Sequence, residues 1–142
     1  MTEPLCSRKT PCSSCPYRKN VPSGLWEEEE YDKLIKYDQP TWGQPTGLFL
    51  CHQQDGTLCA GWVAHNDPAE LLAIRLGLIA GTVDPSVIDY TTSVPLFPSG
   101  TAAAEHGMQQ IDAPDDRAMK AIDKLIRSRD LRESSLEFDD ED

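Results

Sequence analysis

The chain has no hydrophobic run long enough to cross a membrane. Its longest apolar stretch, LLAIRLGLIAG at 71–81, carries Arg75 and is too short to span. The N-terminus, MTEPLCSRKT, has no apolar signal region. Both features point to a cytoplasmic protein. Histidine is scarce, and neither His52, His65 nor His106 has a glutamate two places on. A deaminase-type zinc site needs His-x-Glu ahead of Pro-Cys-x-x-Cys, so PCSSC at 11–15 supplies only the second half. No glycine-rich phosphate loop occurs. Residues 1–11 contain no strand-like run, which thioredoxin-type exchange would require before its cysteine pair. Cys51 and His52 are adjacent, which is poor geometry for a nucleophile and its base. The sequence therefore gives no catalytic constellation.

Basic residues are also in short supply: 13 against 24 acids, for a net charge of −11. That balance argues against non-specific nucleic-acid binding, which needs a basic surface. The charge is uneven. The last ten residues, ESSLEFDDED, hold six acids and no base, and are expected to form a solvated, disordered tail over 133–142. The first twenty hold Arg8, Lys9, Arg18 and Lys19 against Glu3. This basic arm could still touch a carboxylate or phosphate.

The 142 residues suit one domain with a real core. The expected class is α+β, mostly α: a small helical domain with a short strand–turn unit near a four-cysteine site. Residues 1–22 read as an irregular arm, broken by Pro4, Pro11, Pro16 and Pro22. A single domain over 11–132 follows. SGLWEEEEYDKLIKYD (23–38) predicts a helix capped by Ser23, with acids early and Lys33 and Lys36 late. QPTWGQPTG (39–47) reads as a loop, LFLCH (48–52) as a buried strand, and QQDGTL (53–58) as a turn built on Asp55 and Gly56. DPAELLAIRLGLIAG (67–81) predicts a helix with Asp67 as cap, Pro68 in the first turn, Glu70 completing a capping box and Gly81 at its end. A shorter helix over 84–90 repeats the Asp-Pro start, and 93–100 is extended. Helices at 101–111 and 114–128 complete the chain, the second with Ala118, Ala121, Ile122, Leu125 and Ile126 on one side.

What the sequence does have is cysteine. Four of the five are spaced Cys12-x2-Cys15-x35-Cys51-x7-Cys59. A two-residue gap lets both sulfurs of a turn face one cation. The Asp55–Gly56 turn can fold Cys51 and Cys59 together. Four thiolates fill a tetrahedral site, and a reducing cytosol leaves them free to ligate. The expected ligands are Cys12, Cys15, Cys51 and Cys59, with zinc as occupant and an iron–sulfur cluster as the alternative. Four ordinary buried thiols remain a third reading. Cys6 reads as a plain thiol. His52 or His65 could replace a cysteine or support the site from outside. Tyr17, Arg18 and Lys19, just beyond Cys15, are candidate partner-binding residues.

The stretches PCSSCPYRKNVPSGLW, LFLCHQQDGTLCAGW and VPLFPSGTAAAEHG resemble an uncharacterised cysteine-containing family of small proteins from actinobacteria and their phages. The resemblance implies a cytoplasmic, phage-encoded setting. It singles out the four cysteines with Arg18, Trp26, His52, Gly61 and Trp62. A fainter likeness is to WhiB-like regulators, which hold an iron–sulfur cluster on four cysteines and bind a sigma factor; the order and spacing of cysteines differ here. The functional expectation is a metal-binding module that acts by binding a protein partner, such as a transcription component, or by regulation. The alternative is an iron–sulfur redox protein or sensor.

Overall fold

The computed structural model describes residues 3–139 apart from His52 and Asp55, with side chains as far as Arg127. It is mainly helical, with one small parallel sheet, as the composition led us to expect. Strand β1 (Cys6–Ser7) pairs in parallel with β2 (Thr57–Leu58), in the register Cys6 to Thr57 and Ser7 to Leu58. On its other side the arm is held at Leu5, whose N–H donates to Thr82 O at 2.8 Å and whose carbonyl accepts from Asp84 N at 2.9 Å. The arm is thus threaded between two segments of the body. Its prolines hid this, because the residues that pair with it lie over 50 positions away.

Helix α1 (Glu28–Lys36) starts four residues later than the Ser23 cap would place it. Ser23 is used elsewhere: its hydroxyl donates to Gly107 O at 3.0 Å and accepts from Gln110 N at 2.9 Å. The acidic first turn and basic last turn of α1 fit the helix dipole. Tyr31 and Leu34 face α4 (Gly100–Met108) and are fully covered. Burying a side chain such as Leu34 contributes about 1.5–3 kcal/mol. The approach is close enough to require glycine. A Cβ at Gly100 would fall 2.0 Å from Leu34 O, and one at Gly107 would fall 2.0 Å from the Tyr31 ring.

The helix expected over 67–81 is broken. Asp67 accepts from Ala69 N at 3.0 Å and Pro68 takes the first turn, as predicted, but that turn is a short 3-10 segment, Pro68–Glu70. Leu71 is extended, and α3 runs from Leu72–Ala80 to a left-handed Gly81. The break has a distant cause: Gln44 Oε1 accepts from Leu72 N at 3.0 Å and so starts α3 afresh. Glu70 forms no capping box. Its carboxylate accepts from Thr41 Oγ1 at 3.1 Å and faces Arg75 at 3.7 Å.

The second Asp-Pro start forms a 3-10 turn, Pro85–Asp89, with Asp84 accepting from Ser86 N. The extended 93–100 segment pairs with the residues after Cys15. Phe97 N donates to Tyr17 O at 2.8 Å and Lys19 N to Pro95 O at 3.1 Å. Helix α5 (Asp116–Asp139) continues well into the segment read as a disordered tail. Good helix formers such as Leu, Arg and Glu carry the backbone that far, and residues 140–142 lie outside the described residues. Among the described residues, no helix is long and apolar enough to cross a membrane.

Candidate metal centre

The site is assembled from two tight backbone units. In the first, the Cys12–Cys15 loop turns back on itself: Cys15 N donates to Cys12 O at 3.0 Å and Arg18 N to Cys15 O at 3.1 Å. The second is an antiparallel return. Cys51 N donates to Thr57 O at 2.9 Å and Cys59 N to Phe49 O at 2.8 Å, around an isolated bridge between Leu50 and Leu58. In that register Cys51 lies opposite Thr57 and Cys59 opposite Phe49, so the two cysteines are diagonal neighbours on one face. Gly56, at φ +76°, provides the left-handed residue the turn needs. The short strand expected over 48–52 is reduced to this bridge, and His52 lies outside the described residues.

All four thiols are buried, from 1% exposed at Cys15 to 7% at Cys51. They meet two by two. The Cys15 and Cys59 sulfurs are 3.7 Å apart. Cys12 and Cys51 act on each other electrostatically and flank one polar bridge, with Cys12 Sγ 3.5 Å from Ser14 Oγ and Cys51 Sγ 3.4 Å from Gln53 N. The Cys-x-x-Cys is therefore split, each of its sulfurs joined to one from the return. Among the described residues, no three His, Cys, Asp or Glu side chains are arranged as they would be round a metal ion.

Within each pair one sulfur's pKa is lowered and its partner's is raised. Cys59 shares a hydrogen bond with the Cys15 sulfur, and the amides of Tyr17 and Gly61 interact with it too, which together hold the Cys15 thiol below its usual range. The interaction with Cys15 and burial push the Cys59 thiol up. Cys51 interacts with Cys12 and with the amides of Gln53 and Gln54, with Arg8 adding positive charge, and its pKa is lowered to about 5. The interaction with Cys51 and burial push the Cys12 thiol up. Within each pair the sulfur with more backbone N–H donors is the one whose pKa falls, because hydrogen bonds to the charged form favour it.

Gln53 joins the two halves. Its N–H donates to Cys51 Sγ at 3.4 Å, and its side chain donates to Ser14 Oγ at 2.7 Å. Ser14 Oγ is in turn 3.5 Å from Cys12 Sγ. Trp26 braces the same loop, with Nε1 donating to Ser14 O at 2.9 Å. Sequence reasoning passed over Gln53 and Ser14, since a polar residue in a turn carries no distinguishing signal. Gly61 is explained sterically: a Cβ there would fall 2.3 Å from the Cys15 sulfur and 2.9 Å from Tyr17 Cβ.

Residues 7–129 match the model of DUF6283, a family of unknown function. The chain belongs to this family. Comparison with curated proteins and with solved structures gives no match. The DUF6283 span takes in Cys12, Cys15, Cys51 and Cys59 and starts one residue past Cys6. Cys6 is exposed on β1, apart from the buried four.

Three of the other sequence-predicted residues are held within the fold. Tyr17 is fully buried, its ring stacked on His65 at 4.5 Å between centroids and edge-on to Phe49. It supports the centre from beneath and offers nothing to a partner. Arg18 is occupied: its guanidinium donates to Pro11 O at 3.0 Å and Asn20 Oδ1 at 3.1 Å, which staples the cysteine loop. Of the trio, Lys19 is the exposed one. His65 is not brought to the sulfurs. Its Nδ1–H donates to Trp62 O at 2.6 Å, and burial lowers its pKa.

His65 instead lines an open cleft of about 670 Å³, with Asp38, Trp42, Gln44, Glu70 and Arg75. Most of that polar lining is already used within the fold. Asp38 accepts from Gly100 N and Thr101 N at the start of α4, and Gln44 donates to Gln39 O and Glu70 O.

Proposed function

We propose that Cys12, Cys15, Cys51 and Cys59 hold a metal centre that clamps the N-terminal arm to the 49–59 return, and that the clamped domain serves as a binding or regulatory module. Zinc is the first reading. The observation that carries it is the 3.7 Å separation of the Cys15 and Cys59 sulfurs. Two sulfurs sharing a zinc ion at bond lengths of about 2.3 Å and the tetrahedral angle stand about 3.8 Å apart. The amide donors on three of the four sulfurs suit thiolates, the form that ligates. Closure round one ion requires the Cys12–Cys51 pair to move in on the other pair. Zinc would supply charge neutralisation and a cross-link between distant segments.

A specific observation favours a second reading. The sulfurs are grouped in two pairs, with the Cys-x-x-Cys divided between them. A two-iron cluster, with two thiolates on each iron, asks for that grouping. A four-iron cluster of the kind the WhiB likeness would suggest is less well matched, because each thiolate then binds its own iron and neighbouring sulfurs stand well apart. The phage setting belongs with the regulatory reading, as do partners of transcription. The partner surface would exclude Tyr17 and Arg18, which are committed to the fold.

The test is elemental analysis and visible absorption of anaerobically purified protein. One zinc per chain and no colour are expected on the first reading, and two irons with charge-transfer bands on the second. Cys15→Ser and Cys59→Ser should each lose the metal, while Cys6→Ser keeps it. Metal retained by both site variants would overturn the proposal.

A further inference from the structure

The division of the four thiols has a chemical consequence beyond ligation. We propose that the sulfurs form two reactive pairs, Cys12 with Cys51 and Cys15 with Cys59, which a peroxide converts to two disulfides across the site, leaving no bridge within the Cys-x-x-Cys. The connectivity follows from contact. Cys15 and Cys59 sulfurs are already 3.7 Å apart, and Cys12 and Cys51 flank the same Ser14–Gln53 bridge, with Cys12 Sγ 3.5 Å from Ser14 Oγ and Cys51 Sγ 3.4 Å from Gln53 N. Closing the Cys15–Cys59 contact to a bond of about 2.05 Å takes a shift of under 2 Å, within reach of side-chain rotation. Each pair joins the arm to the return, so oxidation would lock the two units together.

The step balances as follows for the first pair. The Cys51 thiolate attacks one oxygen of hydrogen peroxide and the O–O bond breaks, giving a Cys51 sulfenic acid and hydroxide. The hydroxide takes the Cys12 thiol proton and leaves as water. The Cys12 thiolate then attacks the Cys51 sulfur, the S–O bond breaks, and the departing hydroxide takes a proton from solvent. Two sulfurs lose two electrons and peroxide is reduced to two waters. A second peroxide does the same at Cys15 and Cys59. The outer pair reacts first, because Cys51 at 7% and Cys12 at 5% are more exposed than Cys59 at 4% and Cys15 at 1%.

Connectivity stands whether or not the thiols hold a metal. That a bound ion shields them, and is expelled on oxidation, rests on the reading above. The experiment treats the reduced, chelator-washed full chain with hydrogen peroxide, alkylates it, and digests with trypsin and an Asp-specific protease. Cleavage at Lys9, Arg18 and Asp55 isolates peptide 10–18 and separates Cys51 from Cys59. The expected product is peptide 10–18 joined to two others, with electron-transfer fragmentation assigning Cys12 to Cys51 and Cys15 to Cys59. An internal bridge in peptide 10–18, or the crossed assignment, would overturn the proposal.

A rate comparison adds a second readout. The variant C12S/C51S, which keeps the matched Cys15–Cys59 pair, should form its disulfide about tenfold faster than C51S/C59S, which keeps only the Cys-x-x-Cys. Equal rates would count against it. In the parent chain, prior loading with zinc should slow oxidation about tenfold or more. Failure of that arm alone would count against the metal reading and leave the connectivity standing.

Discussion

Gly61 sits against the sulfur of Cys15, so closely that a methyl group in its place would fall 2.3 Å from Sγ. The contact joins α2 (Ala60–Ala64) to the cysteine loop across 46 positions of sequence. Gly61→Ala must therefore push the loop away, with Tyr17 at 2.9 Å blocking any sideways escape. Overpacking of this kind costs about 1–3 kcal/mol. The expected result is a lower unfolding midpoint together with weakened metal uptake, measured by denaturant titration and by competition with a chelating dye.

Gln53 gives a milder prediction. Gln53→Ala keeps the N–H that bonds Cys51 but removes the side-chain link to Ser14. Loss of one such partly buried hydrogen bond costs about 0.5–1.5 kcal/mol. Removing a partner that orients ligands typically lowers metal affinity by about 10–100-fold. The competition assay should show that drop with metal stoichiometry unchanged.

Arg18 and Lys19 separate a structural role from a partner-binding one. Arg18→Ala frees the Pro11 carbonyl and should lower stability by about 1–2 kcal/mol. Lys19→Ala, on an exposed side chain, should stay within about 0.5 kcal/mol of the parent. Equal, negligible effects from both would show that the guanidinium does not hold the loop.

Gly107→Ala serves as a control away from the centre. The added methyl would meet the Tyr31 ring at 2.0 Å and disturb the packing of α1 on α4. Thermal stability should fall by an amount comparable to Gly61→Ala, while metal content per folded chain is unchanged.

The asymmetry between local and distant signals explains what the sequence revealed. Both Asp-Pro starts were legible, since Asp67 and Asp84 cap amides only two residues on. The return that brings Cys51 near Cys59 was legible from Asp55–Gly56, and its Gly56 does adopt the left-handed conformation. The break before α3 was not, because the residue that starts the helix, Gln44, lies in a loop 28 positions earlier. Ser23 looked like a cap for α1 and instead serves Gly107 and Gln110. Tyr17 and Arg18 resembled an exposed recognition patch beside the cysteines. Only the fold shows one ring buried on His65 and one guanidinium turned back on Pro11. The cross-pairing of the Cys-x-x-Cys was equally hidden, since spacing alone favours a shared role for Cys12 and Cys15.

His65 predicts a pH dependence. Burial lowers its pKa below the ordinary value near 6.5, so the unfolded chain takes up a proton that the folded chain refuses. Its contribution is therefore present above about pH 6.5 and lost as the pH falls below it. Urea midpoints at about pH 7.5 and about pH 5.5 should differ more for the parent than for His65→Gln.

The central claim, that the four buried cysteines hold one metal centre, is tested most directly by X-ray absorption at the metal edge of the purified full chain. A first shell made of sulfur, with four sulfur neighbours on a zinc ion or sulfur neighbours plus a short iron–iron distance for a cluster, is the result expected here. A shell of nitrogen and oxygen, or a chain that takes up no metal under anaerobic, reduced conditions, would contradict it.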